Sequence, residues 1–398
     1  MVFTLWQTLV IAILVLFLGR GLNMAVPFFR NFNIPEPVTG GFLASLIFGF
    51  LYVVFGFEAI FFLDGRNNLL LVFYSTIGLA SQFSTLRAGG VPLIILLASA
   101  SFFLLVQNSV GVGVAELTGI DPLYGVVGGS ITLTGGHGTA FAWATILEGK
   151  FGLKNAAEVG AACATFGLIL GGLVGGPVAR KLIEKNDLKP SSNQHITIGS
   201  RFGEEHEPID SHGVLRNLLM IAAVIVGGTE LTKLFESWGF FLPTYVTCLF
   251  LGLILANTVP YIFKGMTSPA DCKSLALISD ISLGLFLAMS LMSMRLWELI
   301  DLALPMLLIL ALQVTVLVVF SYFLLFRLLG SDYDSAVMSS GYMGMALGAT
   351  PNAIANMTAV TKHYGPSPKA FLVVPLVGAF FIDIVNSVVI QLFLNWVG

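Results

Sequence analysis

The sequence predicts an all-α polytopic membrane protein made of two inverted five-helix repeats, each with a re-entrant hairpin between its fourth and fifth spans. Three observations lead there: the composition, a pair of glycine-dense interruptions, and landmarks that recur at a nearly constant offset. Of the 398 residues, 56% are hydrophobic and 10% charged, whereas soluble domains carry about 25% charged residues. Several apolar runs reach the roughly 20 residues needed to cross a hydrocarbon core about 30 Å thick.

The first repeat, residues 1–179, holds expected spans near 4–20, 38–56, 68–85, 91–115 and 156–178. Its opening run has no basic flank and no small-residue cleavage site, so it is expected to be a retained span rather than a secretory leader. Residues 180–215 form the long polar stretch, with Lys189, Pro190, Ser191 and Ser192 in it, and are expected to be a solvated cytoplasmic linker. The second repeat, 216–398, holds spans near 216–234, 241–263, 274–294, 303–326 and 370–396.

The two interruptions sit in corresponding places. The first, 122–146, is centred on GSITLTGGHGTAFAW (Gly129 to Trp143); the second, 335–358, on GYMGMALGATPNAIANM (Gly341 to Met357). Glycine costs about 1 kcal/mol per helical position relative to alanine, and unpaired backbone cannot face lipid. Each stretch therefore lines a cavity or is buried in protein. The competing use of such glycines is close helix packing along seams of small residues.

Charge tests the topology. With the N terminus outside and both interruptions re-entrant, 14 of the 19 lysines and arginines fall on the cytoplasmic side, and both termini are periplasmic. If both interruptions crossed fully, twelve spans would result and the linker would change side.

The halves also keep step. Ile34, Pro35, Val38 and Thr39 match Leu242, Pro243, Val246 and Thr247; Thr76, Gly78 and Leu79 match Ser282, Gly284 and Leu285; Gln107 matches Gln313. Gly119 and Asp121 match Gly330 and Asp332, Gly136 matches Gly348, and Phe151 with Gly152 matches Tyr364 with Gly365. An internal duplication follows. Because five crossings is an odd number, the copies must be inverted, as in secondary transporters whose interrupted segments mark the site.

In that arrangement the hairpin tips meet near the midplane. Thr134, Gly135, Gly136, Gly138 and Thr139 are expected at one tip, with Ser130, Thr132 and His137 beside them. Gly348, Ala349, Thr350, Pro351 and Asn352 are expected at the other, with Asn356 following. Half-helix N-termini suit a carboxylate, and unwound carbonyls suit Na⁺. His137 has three readings: a proton carrier, a donor to substrate, or a donor to a structural carbonyl.

Asp383 lies midway along the last expected span, with Asn386 one turn later. A carboxylate at that depth is costly unless paired, hydrated or bound to a cation. It is either a contact for Na⁺ or a substrate ammonium, or part of a buried hydrogen-bond network. Asn257, Gln107 and Gln313 are further polar groups inside membrane segments and join Asp383 and Asn386 as sodium candidates. Asp121, Asp280 and Asp332 lie nearer span ends, where capping or interfacial hydration is expected.

Several classes find no support. There is no G-x-x-x-x-G-K-[ST] phosphate loop, no Ser-His-Asp or H-E-x-x-H constellation, and no C-x-x-C among Cys163, Cys248 and Cys272. Neither an enzyme nor a cofactor or transition-metal site is expected, and a net charge of −3 does not suggest nucleic acid.

Long motifs then carry a resemblance. IPEPVTGG (Ile34 to Gly41), GSITLTGGHGTAFAW, CATFGLILGGLVGGPVAR (Cys163 to Arg180), GLFLAM (Gly284 to Met289), LWEL (Leu296 to Leu299), GATPNAIANM (Gly348 to Met357) and FLVVPLVGAFFIDIVN (Phe371 to Asn386) resemble the sodium/glutamate symporter family of bacterial inner membranes. The resemblance implies Na⁺-coupled uptake of L-glutamate, two inverted domains with re-entrant loops, and a lipid-embedded homodimer working by elevator-like displacement. It places the family's re-entrant motifs on Gly135, Gly136 and His137, and on Gly348, Thr350, Pro351 and Asn356. One position departs, Asn352 standing where threonine is common. A symporter of citrate or another dicarboxylate, coupled to Na⁺ or H⁺, is the close alternative, and a passive channel the distant one.

Overall fold

A computed structural model describes residues 1–31, 34–80, 83–190, 211–238, 242–262, 273–295 and 302–398. Most of the expected linker (191–210), the LWEL motif and Cys272 lie outside the described residues.

The first three spans are α1 (Leu5–Ala25), α3 (Glu36–Phe55) and α4 (Arg66–Ala80), with the short α2 (Pro27–Asn31) between the first two. Thr4 caps α1 through a capping box with Gln7, and Pro35 precedes α3, whose end is turned by Gly56 at φ 67°. A long α5 (Phe83–Thr118) follows, bent at Gly90. Next come α6 (Pro122–Val126), a π-turn at Val127–Ile131, α7 (Gly136–Lys150) and α8 (Ala156–Lys185). The second half follows. It runs α9 (Ser211–Ser237), α10 (Thr244–Ile262), α11 (Lys273–Met292), α12 (Ala303–Phe320) with a π-turn into α13 (Phe326–Leu328), α14 (Tyr333–Leu347) and α15 (Thr350–Tyr364). It ends in α16 (Pro368–Leu376), a π-turn at Val377–Phe381, and α17 (Ile382–Val397).

Seven helices among the described residues are long and apolar enough to cross a membrane. The protein is an all-helical, multi-pass membrane protein. Two departures from the sequence expectation stand out. Helix α8 runs on to Lys185, beyond the expected end at 178, because Leu182 and Ile183 are buried and keep its last turns packed. The last span is not one regular helix: Pro375 has no N–H to donate, and the helix widens into the π-turn just before Asp383.

The helices sort into two lobes. In the first, α4 packs on α10 and α11, α1 on α3 and α11, and α9 on α10. In the second, α5 packs on α6, α12, α16 and α17, while α8 packs on α7, α14 and α15. Each lobe thus draws on both halves of the chain. Glycines permit the tightest crossings: a Cβ on Gly78 of α4 would stand 2.4 Å from the Leu249 carbonyl of α10, and one on Gly167 of α8 would stand 2.2 Å from the Leu347 carbonyl of α14. This is the small-residue packing that lets apolar helices associate in lipid.

Candidate substrate and ion site

The two interrupted segments end in helices that begin at the protein's centre. In the first, Gly135 N–H donates to the Ser130 carbonyl at 3.0 Å and Gly136 N–H to the Thr132 carbonyl at 2.9 Å, closing the turn before α7. Gly136 has φ 68°, a conformation that disfavours any side chain. In the second, Gly348 and Ala349 leave the helical region and α15 starts at Thr350, with Pro351 in its first turn. Proline belongs there, since the first N–H groups of a helix have no intrahelical partner.

A hydrogen bond links the two ends of each segment. Tyr124 in α6 donates to the Lys154 carbonyl beyond α7 at 2.8 Å, and Ser367 beyond α15 donates to Asp334 in α14 at 2.6 Å. Asp121 caps α6 through the Leu123 N–H and Asp332 caps α14 through the Ser335 N–H, as expected for span-end carboxylates.

The tips meet through Gln107 of α5. Thr134 Oγ1 donates to Gln107 Oε1 at 2.7 Å, and Gln107 Nε2 donates to the Ala346 carbonyl at 2.9 Å. Gln313 of α12 donates to the Gln107 carbonyl at 2.6 Å. These glutamines are fully buried pins between segments, and neither lines the cavity described next.

Between the lobes lies a cavity of about 590 Å³. The second lobe contributes Thr134, Gly135, Gly136, His137 and Gly138 from one tip, Gly348, Ala349, Thr350 and Pro351 from the other, and Asp383 from α17. The first lobe contributes one face of α4, including Tyr74 and Thr76, and one face of α11, including Ser279 and Asp280. Two helix N-termini therefore open onto one space, an arrangement whose partial positive charge and free N–H groups receive an anion. Among the described residues, no lysine or arginine lines it.

His137 is held from behind. Thr165 Oγ1 donates to the Ala161 carbonyl, so its remaining capacity is to accept, and His137 Nε2 donates to it at 2.9 Å. Tyr74 and Thr139 share a hydrogen bond of 3.0 Å across the lobes.

A family model described as Sodium/glutamate symporter matches residues 1–366. The chain is 45% identical over 390 residues to the sodium/glutamate symporter of Escherichia coli (strain K12), covering 97% of this chain and 96% of that relative. It is 41% identical over 395 residues to the sodium/glutamate symporter of Haemophilus influenzae, with 98% and 96% covered. This chain belongs to the sodium/glutamate symporter family.

In this family member the cavity gathers only part of the expected set. Ser130 and Thr132 are fully buried behind the first tip, with Thr132 Oγ1 donating to the Val127 carbonyl at 2.7 Å. Asn352 and Asn356 turn away from the cavity and donate to the Leu168 and Gly171 carbonyls of α8, at 2.7 and 2.8 Å. Asn386 donates to the Ser130 carbonyl, and Asn257 is spent on the Leu253 carbonyl of its own helix at 2.8 Å. Asp280, expected to be capped or hydrated near a span end, is exposed and stands on the face of α11 that lines the cavity. The signal for it was present: Ala276, Ser279, Asp280, Leu283 and Leu287 follow helical spacing along one stripe. Tyr74 and Asn108 carried no comparable signal.

Proposed function

We propose that this chain is a secondary active transporter that couples inward Na⁺ flow to uptake of L-glutamate across the bacterial inner membrane. The observation that carries the reading is the pair of helix N-termini, α7 at Gly136 and α15 at Thr350, opening onto one cavity between two lobes. Substrate carboxylates are received by these N-termini together with the Thr350 hydroxyl, while Thr134, whose hydroxyl is spent on Gln107, holds the first tip in place. Asp383 contacts Na⁺ or the substrate ammonium, because among the described residues it forms no ion pair. The relatives named as sodium/glutamate symporters support the substrate and the coupling ion.

Two inverted repeats, 1–179 and 216–398, are supported by equal local geometry at matched positions. Val38 N–H bonds to the Pro35 carbonyl and Val246 N–H to the Pro243 carbonyl, both at 2.9 Å. Gly119 and Gly330 both have positive φ, as do Gly152 and Gly365. The tied ends of each segment support re-entrant hairpins. A cavity bounded by two lobes suits elevator-like displacement of the hairpin-bearing lobe against the other, with both termini periplasmic. Exposed apolar residues on α1 and α3, among them Leu14, Phe17, Phe50 and Val53, face lipid or a second copy in a homodimer.

The test is uptake of labelled L-glutamate into proteoliposomes under an inward Na⁺ gradient, against equal K⁺ and H⁺ gradients. Accumulation driven by Na⁺ alone, resisted by citrate and dicarboxylates as competitors, is the expected result. Accumulation under any other gradient alone, or none from folded protein, rejects it.

A further inference from the structure

One helical turn behind the cavity wall lies a second polar cluster. Ser130 is 0% and Asn386 1% exposed, and neither lines the cavity. Asn386 Nδ2 donates to the Ser130 carbonyl at 2.9 Å, and Ser130 N–H donates to Asn108 Oδ1 at 2.8 Å. Asparagines from α17 and α5 thus grip both backbone groups of one residue in the π-turn Val127–Ile131. Three side-chain atoms of the cluster are left over, two oxygens and one amide nitrogen. Ser130 Oγ and Asn386 Oδ1 find no hydrogen-bond partner among the described residues. Asn108 Nδ2 is also unpartnered; it lies on the amide arm opposite the oxygen that accepts from Ser130, just as Asn386 Oδ1 lies on the arm opposite the nitrogen that donates to the Ser130 carbonyl.

A buried polar atom without a partner is unfavourable, and membrane interiors offer no bulk water to relieve it. A hard cation is satisfied by neutral oxygens of this kind, set against unwound backbone. We infer that Ser130 Oγ and Asn386 Oδ1 belong to a Na⁺ site separate from the Asp383 contact. This rests on the symporter reading above. The site is wired to the cavity in both directions along the chain: Thr134 follows Ser130 by one turn, Asp383 precedes Asn386 by one turn, and both line the cavity. An ion held between Ser130 and Asn386 ties those two walls together. Its occupancy and substrate affinity are then coupled reciprocally.

Ser130→Ala removes a hydroxyl that makes no hydrogen bond among the described residues, so the fold is expected to survive. In proteoliposomes its half-saturating Na⁺ concentration for glutamate uptake should rise about tenfold or more, the size of change typical when a metal site loses support. In detergent without glutamate, the rise in melting temperature that Na⁺ gives the unchanged protein over choline should shrink in the variant. Asn386→Asp, which keeps the shape and adds charge, should lower the half-saturating Na⁺ concentration. Wild-type Na⁺ activation in both variants overturns the site and leaves the two oxygens to a buried water. A raised glutamate KM at saturating Na⁺, with Na⁺ activation unchanged, returns Ser130 to the substrate and also overturns it. Failure of the unchanged protein to accumulate glutamate under Na⁺ would instead overturn the symporter reading.

Discussion

Thr134 Oγ1 lies 2.7 Å from Gln107 Oε1 and 3.3 Å from the Ala346 carbonyl, so one hydroxyl in the first glycine-dense segment reaches both a pin on α5 and the end of α14. Gln107 completes the triangle by donating to Ala346. Gln107→Leu keeps the bulk and removes both side-chain bonds, each contributing about 1 kcal/mol. The expected result is a lower melting temperature in detergent and at least tenfold slower uptake, with insertion retained. Uptake at the wild-type rate would show that the tips hold together without it.

Gly136 stands at φ 68°, where an L residue costs about 1–2 kcal/mol and a β-branched one more. A Cβ there would also point at the Gly348 carbonyl, 3.5 Å away. Gly136→Val should abolish transport while the protein still reaches the membrane, measured by uptake alongside surface accessibility. Near-normal uptake would remove this tip from the site.

Asp383→Asn keeps the shape of the side chain and deletes its charge. If it contacts a cation, either Na⁺ activation shifts to higher concentration or analogues lacking the amine gain relative to glutamate. Unchanged values for both would assign Asp383 to a structural hydrogen-bond network.

Asn352 donates to Leu168 and turns its back to the cavity. Asn352→Thr should therefore leave the ranking of glutamate over competing dicarboxylates unchanged, and lower thermal stability by about 1 kcal/mol through the lost bond. A changed ranking in competition assays would place this side chain against substrate.

Gly167 admits the Leu347 carbonyl so closely that a methyl group would force α8 away from α14. Gly167→Ala should cost about 1–3 kcal/mol, the usual penalty of overpacking, seen as a lower melting temperature. Gly176→Ala, where nothing lies within 4 Å, should be tolerated.

Much of the architecture was legible in the chain. Apart from the start of α5 and the end of α8, the helices fall within a few residues of the expected spans, because apolar length is a local property that lipid enforces directly. The two glycine-dense segments announced themselves because broken backbone has few permitted places at membrane depth. The matched caps at Asp121 and Asp332 were equally readable, since capping is decided within a few residues. Thr134 to Gly138 and Gly348 to Pro351, all expected at the tips, do meet at one cavity.

What the residues of the chain determined by themselves was the medium, the all-helical class, the positions of the two breaks and the family. Only the tertiary structure decided which polar side chains face the cavity. Asn352 and Asn356 looked like site residues but donate to α8; Asp280 is exposed, and only the fold shows that it faces the cavity; Asn108 gave no signal, yet it holds Ser130. The physical reason is that spacing along a helix says which residues share a face. The direction of that face is set by which helices pack around it, through contacts between segments as far apart as Leu168 and Asn352.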